Sequence, residues 1–147
     1  MSDGSDIVLV DDDHGVHLFV TRVLRDSAYS LRCFDDGQQA LDWLHDHGTA
    51  LLLLDYRMPR MSGLELLAAL RPDAAERIVL CTAGRTADVP PEGPGLDRVE
   101  LMEKRRLLDR QHFLPLLGLA NAEPAALHQR ASNTARTAGS SLASRGV

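Results

Sequence analysis

Along this chain short apolar runs alternate with stretches of helical periodicity, and each run ends on a charged or hydroxyl group. Residues 7–10 (Ile-Val-Leu-Val) lead into Asp11, Asp12 and Asp13, and four leucines at 51–54 lead into Asp55. Residues 78–81 (Ile-Val-Leu-Cys) meet Thr82, and residues 99–102 pass through Glu103 to Lys104. Runs of four are too short for helices, and a continuous apolar run fits a strand buried on both faces of a parallel sheet. Residues 29–34 differ, with Leu31 and Cys33 on one face and Arg32 and Phe34 on the other, a mixture that suits an edge strand.

Helices are predicted between the runs. Val16, Phe19, Val20, Val23 and Leu24 repeat at i, i+3, i+4, i+7 and i+8. Asp36 can cap a helix carrying Ala40, Leu41 and Leu44, with Trp43 packing on it and Gly48 at its C′ position. Ser62-Gly63-Leu64-Glu65 is a capping box opening a helix with Leu66, Leu67 and Leu70, stopped by Arg71-Pro72. Such alternation implies right-handed crossovers and a parallel sheet. The next helix falls on residues 85–97, where Pro90, Pro91, Gly93, Pro94 and Gly95 predict a loop or a single turn instead. Phe113, Leu114 and Leu117 give a last apolar face, and Pro115 predicts a kink there or a restart with Pro115 at N1.

Composition narrows the class. A chain of 147 residues that is 44% hydrophobic suits one domain, residues 1–119, with an appendage at 120–147. That appendage is rich in Ala, Ser, Thr and Arg, and is expected to be partly helical around 125–131 and flexible at its end. Self-association through it would make a homodimer. A net charge of −5, with no basic cluster beyond Lys104-Arg105-Arg106, argues against nucleic acid. Cys33 and Cys81 lie in apolar runs without metal-type spacing and read as reduced core thiols. No signal peptide or membrane span is evident, so a cytoplasmic location is expected.

The strand ends carry the chemistry. In open α/β sheets the carboxyl ends of the strands border the ligand crevice. Asp55 is there a candidate nucleophile, or else a helix cap or solvated strand end. Asp11, Asp12, Asp55, Thr82 and Lys104 all come to that one edge. With Asp55-x-x-Met58-Pro59-x-x-x-Gly63 and Thr82-Ala83, the set over roughly residues 6–117 resembles the receiver domain of two-component response regulators. Three converging carboxylates also repel one another, which calls for a hard divalent cation, Mg²⁺ being the abundant candidate.

The resemblance implies a three-layer αβα, flavodoxin-like fold, doubly wound on a five-stranded parallel sheet of order 2-1-3-4-5, here with a degenerate fourth helix. It implies that Asp55 accepts a phosphoryl group from a sensor histidine kinase or histidine phosphotransfer protein, in single-turnover autophosphorylation and not enzymatic turnover. Asp12, Asp55 and the backbone carbonyl of Arg57 would bind Mg²⁺ directly and Asp11 through water, while Thr82 and Lys104 would hold the phosphoryl oxygens. With no DNA-binding or catalytic domain evident, the expected output is contact with a downstream protein or phosphoryl relay. Arg57 would pair with or shield the phosphoryl group, Gly84 would leave the opposite side open, and His14 would be a solvated loop histidine at the rim, not a catalytic base.

Three departures stand out. Arg105 replaces the family's proline after Lys104, Leu101 replaces the aromatic switch residue three positions before it, and the fourth helix is broken. They raise a second reading, a pseudo-receiver that binds partners independently of phosphorylation. Asp11-x-Asp13 could alternatively be the D-x-D pair of a haloacid dehalogenase-type phosphatase, but His14-Gly15 lacks the expected Thr or Val and no cap domain fits. No nucleotide-binding P-loop motif is present.

Overall fold

The structure is a computed structural model that describes residues 5–117. The expected appendage at 120–147 lies outside the described residues. Five strands, β1 (Ser5–Val10), β2 (Leu31–Phe34), β3 (Thr49–Asp55), β4 (Ala75–Thr82) and β5 (Val99–Glu103), form one sheet in the order β2-β1-β3-β4-β5. All four pairings are parallel. The helices are α1 (His14–Val23), α2 (Gly37–Asp46), α3 (Gly63–Ala69), a single turn α4 (Lys104–Leu107) and α5 (Arg110–Leu116).

Strand periodicity builds two cores from one sheet, because successive side chains point to opposite faces. Ile7, Leu9, Leu51, Leu53, Val79 and Cys81 pack with Val16 and Val20 of α1, Leu107 of α4 and Phe113 of α5. Val8, Val10, Leu52, Leu54, Ile78 and Leu80 pack on the other side with Ala40 and Leu44 of α2 and Leu66 and Leu67 of α3. This is the doubly wound three-layer arrangement, and the four leucines are buried on both faces as their continuity requires.

The caps follow the expected local chemistry. Asp36 accepts from the Gln38 N–H at the start of α2, and the Ser62–Glu65 capping box is formed in both directions. Other local features differ from the sequence expectation. Gly48 follows α2, but the helix ends on an extended His47 and Gly48 keeps a negative φ, so no left-handed cap forms. Residues 29–30 precede β2 without joining it. The stretch between β4 and β5 holds no α-helix, as expected, but has two 3₁₀ turns, Thr86–Asp88 and Leu96–Arg98, where a loop or a single turn was expected. Pro115 neither restarts the helix nor takes N1: Asp109 caps α5 by accepting from the Gln111 N–H, and Pro115 lies in the last turn, where its missing N–H removes one helical hydrogen bond.

Candidate functional site

The carboxyl edge of the sheet forms an open cleft of about 410 Å³ lined by Asp12, Asp13, Asp55, Tyr56, Arg57, Thr82, Ala83, Gly84, Asp88 and Lys104. Asp55 ends β3, Asp11 and Asp12 directly follow β1, Thr82 ends β4, and Lys104 follows β5 as the first residue of α4. Asp11, Asp55 and Thr82 are buried and make the inner wall, while Asp12, Arg57, Gly84 and Asp88 are exposed at the rim.

Each side chain is held from its own element. The Asp11 Oδ1 accepts from the Asp13 N–H at 2.8 Å, and Asp13 in turn caps α1 by accepting from the Gly15 N–H. Behind Asp55 the chain turns tightly: the Gly63 N–H donates to the Tyr56 carbonyl at 2.9 Å, and a Cβ on Gly63 would collide with the Asp55 backbone carbonyl oxygen. Only a glycine permits that close approach. The Thr82 hydroxyl accepts from the Gly84 N–H at 3.1 Å and keeps its own proton for a further acceptor.

Lys104 needs no proline to aim it. Every peptide bond among the described residues is trans. The lysine opens α4, whose Leu107 is fully buried against α5 and the sheet, and this anchor directs Nζ into the cleft. Nζ lies 2.9 Å from Asp11 Oδ2 and 3.1 Å from Asp55 Oδ1, bridging two buried carboxylates.

The electrostatics follow from that packing. Burial pushes the Asp55 carboxyl up to about 6, with repulsion from Asp11 adding to it, Lys104 pulling it down and Asp12 a smaller upward contribution. Burial favours neutral Lys104, but its bonds to Asp11 and Asp55 outweigh this and hold the amine above its ordinary range. The Cys81 thiol, beside Asp55 in the sheet register, is pushed up to about 12 chiefly by burial and is inert, as expected of a core thiol. Asp11, Asp12 and Asp55 each offer an oxygen within 4.8 Å of the others, a hard, oxygen-only set that fits Mg²⁺.

The remaining sequence candidates fall at the margin. Arg57 lies on the Tyr56 ring, 5.1 Å from its centroid. His14 is the first residue of α1, not a loop residue, and is exposed with Nε2 3.1 Å from Asp35 Oδ2. Sequence reasoning missed Asp88. It stands in the first 3₁₀ turn, and its Oδ2 accepts from the Arg85 N–H at 3.0 Å. That carboxylate fills the side that Gly84 was expected to leave open: a Cβ on Gly84 would lie 2.9 Å from Asp88 Oδ2 and 3.7 Å from Thr82 Oγ1. The spacing Arg85-x-x-Asp88 is a turn-cap signal, masked in the sequence by the prolines that follow it.

Comparison with known proteins agrees with this geometry. The transcriptional regulatory protein CpxR of Escherichia coli K12 is 37% identical over 109 residues, covering 74% of this chain and 41% of that protein. The cyclic di-GMP phosphodiesterase response regulator RpfG of Xanthomonas campestris is 43% identical over 70 residues, 46% of this chain and 18% of that protein. The chain thus spans less than half the length of these relatives. The chemotaxis protein CheY4 of Vibrio cholerae shares the fold, with a TM-score of 0.66 at 22% identity over 78% of this chain and 97% of that one. A CheY-like receiver domain from Methanospirillum hungatei aligns with a TM-score of 0.56 at 26% identity, over 74% of this chain and 92% of its own. The response regulator receiver domain family matches residues 7–106, more than half of the chain and nearly all of the sheet, and the chain belongs to that family.

Proposed function

We propose that Asp55 is a phosphoacceptor, loaded with Mg²⁺ present from a sensor histidine kinase or a histidine phosphotransfer protein, and that the loaded domain signals by protein–protein contact. The observation that carries this reading is Lys104 bridging Asp11 and Asp55 at the floor of an open acidic cleft, beside the buried Thr82 hydroxyl. A side-chain oxygen of Asp55 attacks phosphorus, the bond from phosphorus to the donor breaks, and the electron pair leaves with the donor. Lys104 supplies a fixed positive charge and Thr82 a hydroxyl proton to the phosphoryl oxygens, so the charge that builds up there meets preoriented partners. Asp11, Asp12, Asp55 and the Arg57 carbonyl would hold Mg²⁺, which when bound neutralises charge on the transferring group. Cation binding would also favour the ionised, nucleophilic form of Asp55, offsetting the burial that holds its carboxyl above the ordinary range.

Residues 1–119 would form this unit, with 120–147 appended to it. Among the described residues no helix is long and apolar enough to cross a membrane. A pseudo-receiver role is the second reading, favoured by Leu101, which is 42% exposed on β5 in place of an aromatic residue, and by the stretch between β4 and β5, which has two 3₁₀ turns in place of an α-helix. Radiolabelled acetyl phosphate separates the two. The first reading expects Mg²⁺-dependent label on the protein that hydroxylamine strips off, as it does an acyl phosphate. A protein that stays unlabelled, or label that resists hydroxylamine, favours the pseudo-receiver.

A further inference from the structure

Resting on Asp55 as the phosphoacceptor, we propose that Asp88 activates the water that removes the phosphoryl group, and so sets how long the signal lasts. Asp55 lies at the buried floor of the cleft, so a phosphoryl group on it projects toward the mouth. A displacement in line with the breaking bond to Asp55 requires the water to enter from that mouth. The carboxylates there are Asp12, Asp13 and Asp88. Asp12 belongs to the cation set and Asp13 caps α1. Asp88 stands outside the cation set and caps only a single 3₁₀ turn, through Oδ2.

Its position is built, not incidental. Val89 is buried in the core beneath α3 and pins the end of the turn, and the Asp88 N–H donates to the Arg85 carbonyl at 2.9 Å. One carboxylate oxygen accepts from the Arg85 N–H, while the other has only the exposed Arg85 guanidinium at 3.4 Å. Gly84, with no side chain, leaves room between this carboxylate and the Thr82 hydroxyl that would hold the phosphoryl group, and both groups line the same cleft.

In the step itself, a water oxygen bonds to phosphorus, the bond from phosphorus to the Asp55 oxygen breaks, and its electron pair returns to the Asp55 carboxylate. The water proton passes to the Asp88 carboxylate and then to solvent, leaving inorganic phosphate. General-base assistance of this kind is worth about 10²–10⁴-fold.

The test uses the full chain loaded with labelled acetyl phosphate and Mg²⁺, freed of donor and followed by phosphate release. Asp88→Asn keeps an acceptor for the Arg85 N–H and should slow release by about 10²-fold. Asp88→Glu should stay near the wild-type rate, and added formate should speed release from Asp88→Ala. Arg85→Ala, which leaves the carboxylate in place, should not lengthen the lifetime. Release from Asp88→Asn at the wild-type rate overturns the proposal, as does Asp88→Ala that formate leaves slow. A wild-type chain that takes up no label sinks the Asp55 reading and this one with it, whereas normal uptake with unchanged decay sinks this one alone.

Discussion

At the scale of single residues, the environment of Asp55 has a consequence for stability. Its carboxyl titrates near 6 in the metal-free fold against an ordinary value of 3.8. A raised carboxylate pKa means that the folded state holds the proton more tightly than the unfolded chain. This contribution to stability is fully present below about pH 4 and is lost as pH rises through about 6. Asp55→Asn, which cannot ionise, should therefore stabilise the metal-free protein at pH 7 by about 1–3 kcal/mol and have little effect at pH 4, as read from urea melts. Arg60 is a second case. It is the one non-glycine among the described residues with a positive φ, 68°, in the loop that carries the chain from Asp55 to α3. Its 3.8 Å contact to Asp36 is too exposed to compensate. Arg60→Gly should raise stability by about 1 kcal/mol in the same assay.

Elements explain what could and could not be read in advance. The runs at 7–10, 51–54 and 78–81 betrayed β1, β3 and β4 because burial on both faces demands unbroken apolarity. The first residues of β4 escaped because they lie half out of the core: Arg77 reaches across to Glu100 on β5 and to the Leu116 carbonyl. The four residues of α4 show no periodicity to detect, and only the structure reveals that Leu107 steers Lys104. Leu107→Ala should cost about 2–4 kcal/mol and slow labelling of Asp55 at temperatures where the variant is still folded. Leu108→Ala, at an exposed neighbour, should do neither. Pro115 does not restart the helix because Asp109 supplies a cap just upstream, so the helix has little length to lose when the proline comes.

For the whole molecule, the sheet gathers at one edge groups that lie far apart in sequence, and their convergence was legible because each followed an apolar run. Asp88 was not, since it reaches the same edge through a proline- and glycine-rich stretch that no periodic pattern announces. If the acidic set holds Mg²⁺, the cation binds the folded state alone and must stabilise it. At a hundred times its dissociation constant the gain is about 2.7 kcal/mol, visible as a rise in melting temperature that Asp12→Asn should largely abolish. Phosphoryl transfer to Asp55 is read by intact mass spectrometry after exposure to acetyl phosphate and Mg²⁺. A single phosphoryl adduct is expected on the wild-type chain and none on Asp55→Asn; an unmodified wild type, or an adduct that survives the substitution, would contradict phosphoryl transfer to Asp55.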